Sequence, residues 1–484
     1  MPLPLLLLAP VPPTPLPTDL EVTAVATAPA EAPAGEVASV TCRVAWSNAW
    51  RDDRNHDAAW LFARWGSGTW TQRLLLAPDG HVATQVEGSN AAPAEIVVSE
   101  DGMGCFVRLG GPYAGDVAFD VTLRLAAGAL PEGVVPERWL VHGVEMVYVP
   151  EGAFEVGEPD AGSKLVSEGC ALFRSGPDGA HAGTFRIESE GPIAVAPEDG
   201  ALWYRTDASY PQYTGDAKGP IPAAFPKGFG AFYCMKYELD QGTYAAFLND
   251  ILEQPQAFRS PLGKPGYHQR RGSIVTTGRR FVATSPRRPH NQCSWEDGLA
   301  FSDWAGLRPL TELELTKAAR GPLPAVSGEH AWGSADKSRF ERIVGASDDL
   351  RRAGADDERL AALDDRPVLG ASHWRILDLS GSVWEKVVSV GHPAGRAFEG
   401  SHGDGFVGDA TGEAGNADWP RGDDYARPGT GGYGYRGGGF YSQSSRPLDD
   451  RAPDVELCYR YYAAWGEGPR LVAYGYRACR TAPR

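Results

Sequence analysis

Seven cysteines, Cys42, Cys105, Cys170, Cys234, Cys293, Cys458 and Cys479, are the most reactive side chains in this 484-residue sequence. They are scattered, with no CxxC pair to hold zinc or run thiol exchange, and their odd number leaves at least one thiol unpaired. Cys42 and Cys105 are spaced so that they could staple two β-sheets together or lie reduced in one core. The ten histidines, among them His290, His330, His373, His392 and His402, show neither HxxxH nor HExxH spacing. No common face of histidines and carboxylates therefore offers itself to Fe(II). Aromatic residues cluster instead at Tyr433-Gly434-Tyr435 and from Tyr459 to Trp465. Such rings give large contact area at small entropic cost, which suits recognition of protein or glycan, although core packing explains some of them equally well.

The elements that must position these residues change character along the chain. From residue 18 to 130, short alternating runs such as Ser39 to Trp46, Trp60 to Trp65 and Val117 to Leu123 read as antiparallel strands with one buried face. Their number suggests an immunoglobulin-like β-sandwich, though without the tryptophan expected about a dozen residues after the first sandwich cysteine. Trp46, Trp50, Trp60, Trp65 and Trp70 are expected in the packing of these strands rather than on a sugar platform. Residues 131–145, bounded by Pro131 and Pro136, are expected to be a linker. Met146 to Gly157 then reads as strand, turn and strand, and residues 159–226, rich in Gly, Pro, Ser and Asp, as a long elaborated insertion of the kind that frames binding sites. Three helices follow from their caps: one after Asp240 carrying Tyr244, Phe247 and Leu248 on one face, one from Ser294 to Gly306, and one opened by the Thr311/Glu314 capping box and closed at Gly321.

Composition narrows the function classes. A formal charge of −16 would repel a phosphate backbone, and there is no Lys/Arg-rich run of the kind nucleic-acid binders use. With 59 Gly, 39 Pro and 14 Trp, a loop-rich fold pinned by aromatic anchors is expected. The apolar start, Met1 to Pro10, is too short to cross a bilayer, which takes about 20 apolar residues. It is suited to the centre of a secretion signal, with a Pro-rich tether to residue 17, although no Lys or Arg precedes it and Ala24-Val25-Ala26 is a distant cleavage site. A secreted or cell-envelope protein without a transmembrane segment is expected.

Six stretches in order resemble the formylglycine-generating enzymes, or sulfatase-modifying-factor domains. They are Met146 to Gly157, Phe232 to Leu239, Cys293 to Glu314, Leu377-Asp378-Leu379-Ser380-Gly381-Ser382-Val383-Trp384-Glu385, Arg436-Gly437-Gly438-Gly439-Phe440 and Gly475-Tyr476-Arg477. The resemblance implies an α+β fold: a C-type-lectin-like domain over residues 146–484, preceded by the all-β sandwich. It also implies three possible roles, since one fold hosts unrelated sites.

Copper-dependent oxidases of this family turn a peptide cysteine into formylglycine with two cysteine ligands. Here Ser442, after Tyr441, stands where the first thiolate would be, and Cys458 resembles the second. A serine hydroxyl is a hard, weak ligand for Cu(I), so Cys458 is catalytic only if the chain is an oxidase. The structural alternative is a buried or disulfide-paired cysteine near Cys479. Iron-dependent synthases need a partner domain that has no counterpart in residues 1–145. The third role is binding or scaffolding without catalysis, and is the first reading, with a structural subunit of an extracellular homo- or hetero-assembly beside it. For it the groove residues are Trp384, Arg436, Tyr441, Ser442, Cys458, Tyr459, Arg460 and Trp465. By the same resemblance a structural calcium would take the Asp378 carboxylate and the backbone carbonyls of Leu379, Gly381 and Val383, oxygen donors suited to a hard cation; a turn-capping role for Asp378 is the alternative.

Overall fold

Strand alternation organises the first third of the chain, and it does so for two cores at once. The computed structural model describes residues 20–29, 37–68, 70–87, 92–132, 134–206, 211–336, 366, 370–408, 410–421, 431–439, 452–466 and 470–484. Nine strands come first: β1 (Glu21–Pro29), β2 (Val37–Arg51), β3 (Asp57–Ser67), β4 (Trp70–Leu74), β5 (Val82–Gln85), β6 (Ala94–Val98), β7 (Cys105–Leu109), β8 (Tyr113–Arg124) and β9 (Arg138–Val149). One antiparallel sheet has the order β1-β2-β8-β5, and a second contains β9-β3-β7-β6 with β4 on β3. Val40, Cys42 and Val44 of β2, Phe119 and Val121 of β8, and Ala59, Leu61 and Ala63 of β3 fill the space between the sheets.

The opposite face of β3 is buried as well. Ala58, Trp60 and Phe62 belong to the core of the C-terminal part, and Trp60 Nε1 donates to the Ala305 carbonyl at 2.8 Å. Ten consecutive residues of β3 are thus buried, the pattern of a strand covered on both sides. Residues 138–145, expected as linker, belong to β9. This strand pairs with β3 from Arg138 to Val147 and with Phe232–Met235 through Met146 to Val149. Its buried residues fall on both faces, so it lacks the polar alternation that marks a half-exposed strand, and the flanking prolines concealed it. Phe232–Met235 pairs in turn with Ala478–Thr481, which carries Arg308–Pro309 on its edge. A single eight-stranded sheet therefore runs from the sandwich into the C-terminal part.

Where the two parts join, Lys236, Glu145 and Asp57 are all buried. The Lys236 ammonium bonds Glu145 and lies 3.5 Å from Asp57 Oδ2, while Asp57 accepts from the Trp50 amide at 3.0 Å and from Trp46 Nε1 at 3.2 Å. Charges removed from water in this way persist only when paired.

All three expected helices form: Gln241–Asp250, where the Asp240 carboxylate accepts from the Thr243 amide at 2.7 Å, and Trp295–Trp304 and Glu312–Arg320, each opened by a capping box. A small sheet sets Trp384–Val388 antiparallel to Tyr433–Arg436 and parallel to Tyr474–Gly475. The 159–226 insertion carries only short elements, such as Lys164–Ser167, Phe185–Ile187 and Leu202–Trp203. Trp46, Trp50, Trp60 and Trp65 are buried, as packing residues should be. All seven cysteines are free and buried, so Cys42 and Cys105 are reduced members of one core. Residues 1–17 lie outside the described residues, among which no helix is long and apolar enough to cross a membrane.

A continuous sheet makes the chain unfold as one unit. Heating or denaturant should give a single transition by far-UV and near-UV signals alike. Lys236→Met, which strands Asp57 and Glu145 without their cation, should lower stability by about 3–5 kcal/mol in a urea titration.

Candidate functional site

Every residue of the helix Glu312–Arg320 is buried, although four of the nine carry charge. Thr311 opens it, its hydroxyl accepting from the Glu314 amide at 3.1 Å while Glu314 Oε2 accepts from the Thr311 amide at 3.1 Å. The charged side chains then reach outward to fix the surrounding segments. Glu312 accepts from Arg460 Nε at 3.1 Å, from Arg436 Nη1 at 3.4 Å and from the Val390 amide at 2.9 Å. Glu314 is held by both terminal nitrogens of Arg308, at 2.9 and 2.6 Å. Lys317 Nζ donates to the carbonyls of Gly152 and Phe229. Arg320 donates to Glu329 Oε1 at 2.6 Å and to the Glu155 carbonyl at 2.6 Å.

Cys458 sits at the end of this helix, 6% exposed. Its thiol donates to the Gly157 carbonyl at 3.1 Å and accepts from Arg320 Nη2 at 3.3 Å. Burial pushes the thiol up to about 12, with Arg320 opposing. Gly157 is required at this spot: its φ is 98°, and a Cβ there would lie 2.2 Å from the Leu172 carbonyl oxygen. The void beside Cys458 is about 10 Å³, at the lower limit for one water molecule. The neighbouring thiol is Cys170, which shares a small cluster with Cys458, Leu165 and Ala171. Cys479, the expected neighbour, instead meets Arg308 at 3.0 Å, in another part of the core. A thiol pushed up by burial and donating to a carbonyl is not the thiolate that a Cu(I) centre takes.

The expected groove residues separate into two groups. Arg436 and Arg460 are 3% and 1% exposed, and both guanidinium groups are engaged by Glu312 and by carbonyls, those of Leu457 and Thr214 respectively. Burial lowers Arg436, whereas Arg460, despite its burial, is held above its usual value by Glu312. They brace the wall rather than face solvent. Trp384, Tyr459 and Trp465 are half-buried and come together at the surface. Trp384 meets Tyr462 edge-on at 5.6 Å and Tyr459 at 6.2 Å. Tyr441 and Ser442 lie outside the described residues.

Three further rings complete this aromatic shelf. Tyr213, from the insertion, packs at 5.4 to 5.6 Å against Tyr461, Tyr462 and Trp465. Gly434 lets the 461–464 turn lie directly on the strand below, because a Cβ there would stand 2.1 Å from Ala463. The tyrosine run was visible in the sequence, but Tyr213 was not, since nothing local ties a loop residue to a site some 250 positions later.

A second polar centre lies behind the shelf, where Arg477 is fully buried. Its side chain donates to Glu385 Oε1, at 2.8 Å through Nε and at 2.6 Å through Nη2, and to the carbonyls of Met235 and Leu377. Glu238 accepts from the Ser382 hydroxyl at 2.6 Å and from the Val383 amide at 3.0 Å. Burial, with the carboxyls of Asp378 and Glu385 nearby, holds Glu238 well above the usual carboxylate range. Asp378 is 3% exposed in a left-handed conformation, φ 65°. Among the described residues no three Asp, Glu, His or Cys side chains converge as metal ligands, so calcium here would rest on Asp378 and peptide carbonyls.

Glu238 gives a pH signature. Its carboxyl keeps a proton in the folded chain that the unfolded chain releases near pH 4.3. Its contribution to stability is therefore full below that pH and is lost as pH rises toward the folded value. Glu238→Gln keeps the Val383 contact, can donate to Ser382, and should flatten the decline; urea titrations of both proteins from pH 4 to 8 measure the difference. Glu312→Gln, which leaves Arg436 and Arg460 underpaired, should cost about 3–5 kcal/mol in the same titration at pH 7.

No curated protein matches the chain. The family model described as the Sulfatase-modifying factor enzyme 1-like domain matches residues 182–456, a span holding the helix Glu312–Arg320, the Asp378 loop and the strand under the shelf. That span is more than half of the 484 residues, and the chain belongs to this family.

Proposed function

We propose that this chain is a non-catalytic recognition or scaffold protein that binds a protein or glycan ligand on the aromatic shelf of Tyr213, Trp384, Tyr459, Tyr461, Tyr462 and Trp465. The observation that carries this reading is the division between a caged interior and an aromatic surface. Cys458 is locked as a thiol between Gly157 and Arg320, while six half-buried rings stand outside on a scaffold of paired charges. Rings pre-positioned in this way lose little freedom on binding, and Tyr and Trp dominate the energetics of such contacts.

In this reading the N-terminal sheets act as an immunoglobulin-like sandwich that stiffens the binding domain through the shared sheet. Calcium at Asp378 and the carbonyls of Leu379, Gly381 and Val383 would tie the loop behind the shelf. Display outside the cell or in the envelope suits the reading and rests on the apolar start of the sequence.

Peptide and glycan arrays probed with the full chain test the proposal. Trp384→Ala and Trp465→Ala should each weaken a hit at least tenfold, and Cys458→Ala should leave it intact. Hits indifferent to both tryptophans would contradict the shelf. Millimolar calcium should raise Tm by a few degrees in the wild type and not in Asp378→Ala; equal shifts in both would remove the calcium assignment.

A further inference from the structure

Strand β4 is flanked on one side only. Its residues Trp70 to Leu74 pair with Ser67 to Ala63 of β3, and among the described residues no strand pairs with its outer edge from Trp70 to Arg73. An outer neighbour exists just beyond. Leu76 bridges Leu125 antiparallel, and the Leu75 carbonyl accepts from the Ala126 amide at 2.8 Å. There a turn diverts the chain, with the Ala129 amide donating to the Ala126 carbonyl at 3.0 Å and Gly128 at φ 71°. Backbone groups along a strand alternate from side to side, so Arg73 and Thr71 face outward as Leu75 does. The lane that a continuation of Leu125 and Ala126 would fill is left open.

A cavity of about 800 Å³ occupies that lane. Trp70, Thr71, Gln72 and Arg73 line it in succession, and consecutive strand residues point to opposite faces, so the cavity wraps around the edge. On one face its wall is Trp65, Trp70 and Ala129, which pack in the space between the N-terminal sheets. On the other it is Leu75, Ile251 and Val407, which pack in the C-terminal core, with Phe406 beside them 49% exposed. The edge itself is rigid. The Thr71 hydroxyl donates to the Asp250 carbonyl at 3.3 Å and accepts from Arg64 Nε at 2.7 Å, while Arg64 Nη2 donates to the Thr71 carbonyl at 3.0 Å. Arg64 Nη1 reaches the Trp304 and Gly405 carbonyls, both at 3.1 Å. Among the described residues nothing meets the Arg73 amide or carbonyl on the outer side.

The shape of the space selects the ligand. A compact ligand, such as a sugar ring or a nucleobase, touches one face of a strand edge at a time and makes no use of an outward amide and carbonyl spaced for a ladder. An extended polypeptide uses both: its main chain pairs with the edge, and its alternate side chains enter the two apolar walls. We infer that this lane is a docking site for an extended, apolar segment of a partner polypeptide, which adds as a strand along Trp70 to Arg73. The edge is held in place before the partner arrives, so little ordering cost falls on this chain. The site is separate from the aromatic shelf and does not depend on it.

A pool of capped heptapeptides, with Val, Ile, Leu, Phe or Thr at the central positions and lysine at each end, tests the site. It is offered to the full chain carrying Trp384→Ala and Trp465→Ala, which removes the shelf as a source of binding. A peptide should be selected, and its affinity should fall at least tenfold when every second amide is N-methylated in one phase, yet stay within threefold in the other phase, whose amides face away from β4. In the same background Arg73→Pro, which removes the outward amide from an edge position, should bind at least tenfold more weakly than Arg73→Ala, which loses the same side chain and its ion pair with Asp404 but keeps the amide. If Arg73→Pro fails to fold, as judged by near-UV dichroism, the two methylated phases decide alone. No selected peptide, equal loss in both phases, or equal affinity in folded Arg73→Pro and Arg73→Ala would overturn the inference. So would a dimer of the unliganded chain in sedimentation that Arg73→Pro dissolves, since a second copy would then fill the lane.

Discussion

Four charged side chains on one buried helix set the arrangement of the C-terminal part. Glu312, Glu314, Lys317 and Arg320 have no access to water, so each must be met by an opposite charge or by peptide groups at hydrogen-bond distance. Those partners come from distant stretches of chain: Arg308 beside the helix, the Gly152 and Glu155 carbonyls of the first hairpin, and Arg436 and Arg460 near the C-terminus. Satisfying the helix therefore fixes the segments that carry the shelf and the cage around Cys458. The helix is short for such a role. Its stability comes from the capping box at Thr311 and from tertiary pairing rather than from length.

The same need explains why two parts of the chain share a sheet. Strand β3 places Ala59, Leu61 and Ala63 in one core and Trp60 and Phe62 in another, so neither face could be exposed without losing a core. The N-terminal sheets and the C-terminal part are then not separable beads, and the Lys236 cluster seals the seam with paired charge. A rigid seam gives the shelf a fixed orientation relative to the N-terminal sheets.

Local chemistry was legible in the sequence, and long-range satisfaction was not. Asp240, Ser294 and Thr311 announced their helices because a cap needs only neighbours three residues away. The glycine and tryptophan motifs placed the family for a related reason, since close backbone approach calls for glycine at a given place, as at Gly157 and Gly438. Residues 138–145 of strand β9 were hidden because burial on both faces removes alternation. Glu312 and Arg320 read as ordinary helix residues, and Arg436 and Arg460 as groove residues, because sequence spacing does not show which charges meet inside. Tyr213 was hidden in the insertion.

In the proposed reading, the caged state of Cys458 is what sets this chain apart from a copper oxidase of the same fold. Among the described residues, its hydrogen bonds to the Gly157 carbonyl and Arg320 and its burial hold it as a thiol. The most direct test is Cu(I) titration of the reduced full chain under anaerobic conditions, with X-ray absorption to count sulfur ligands. Copper that remains removable by a competing chelator, with no ordered sulfur shell, is the expected result. One copper held tightly by each chain through two sulfurs, one of them Cys458, would contradict the account.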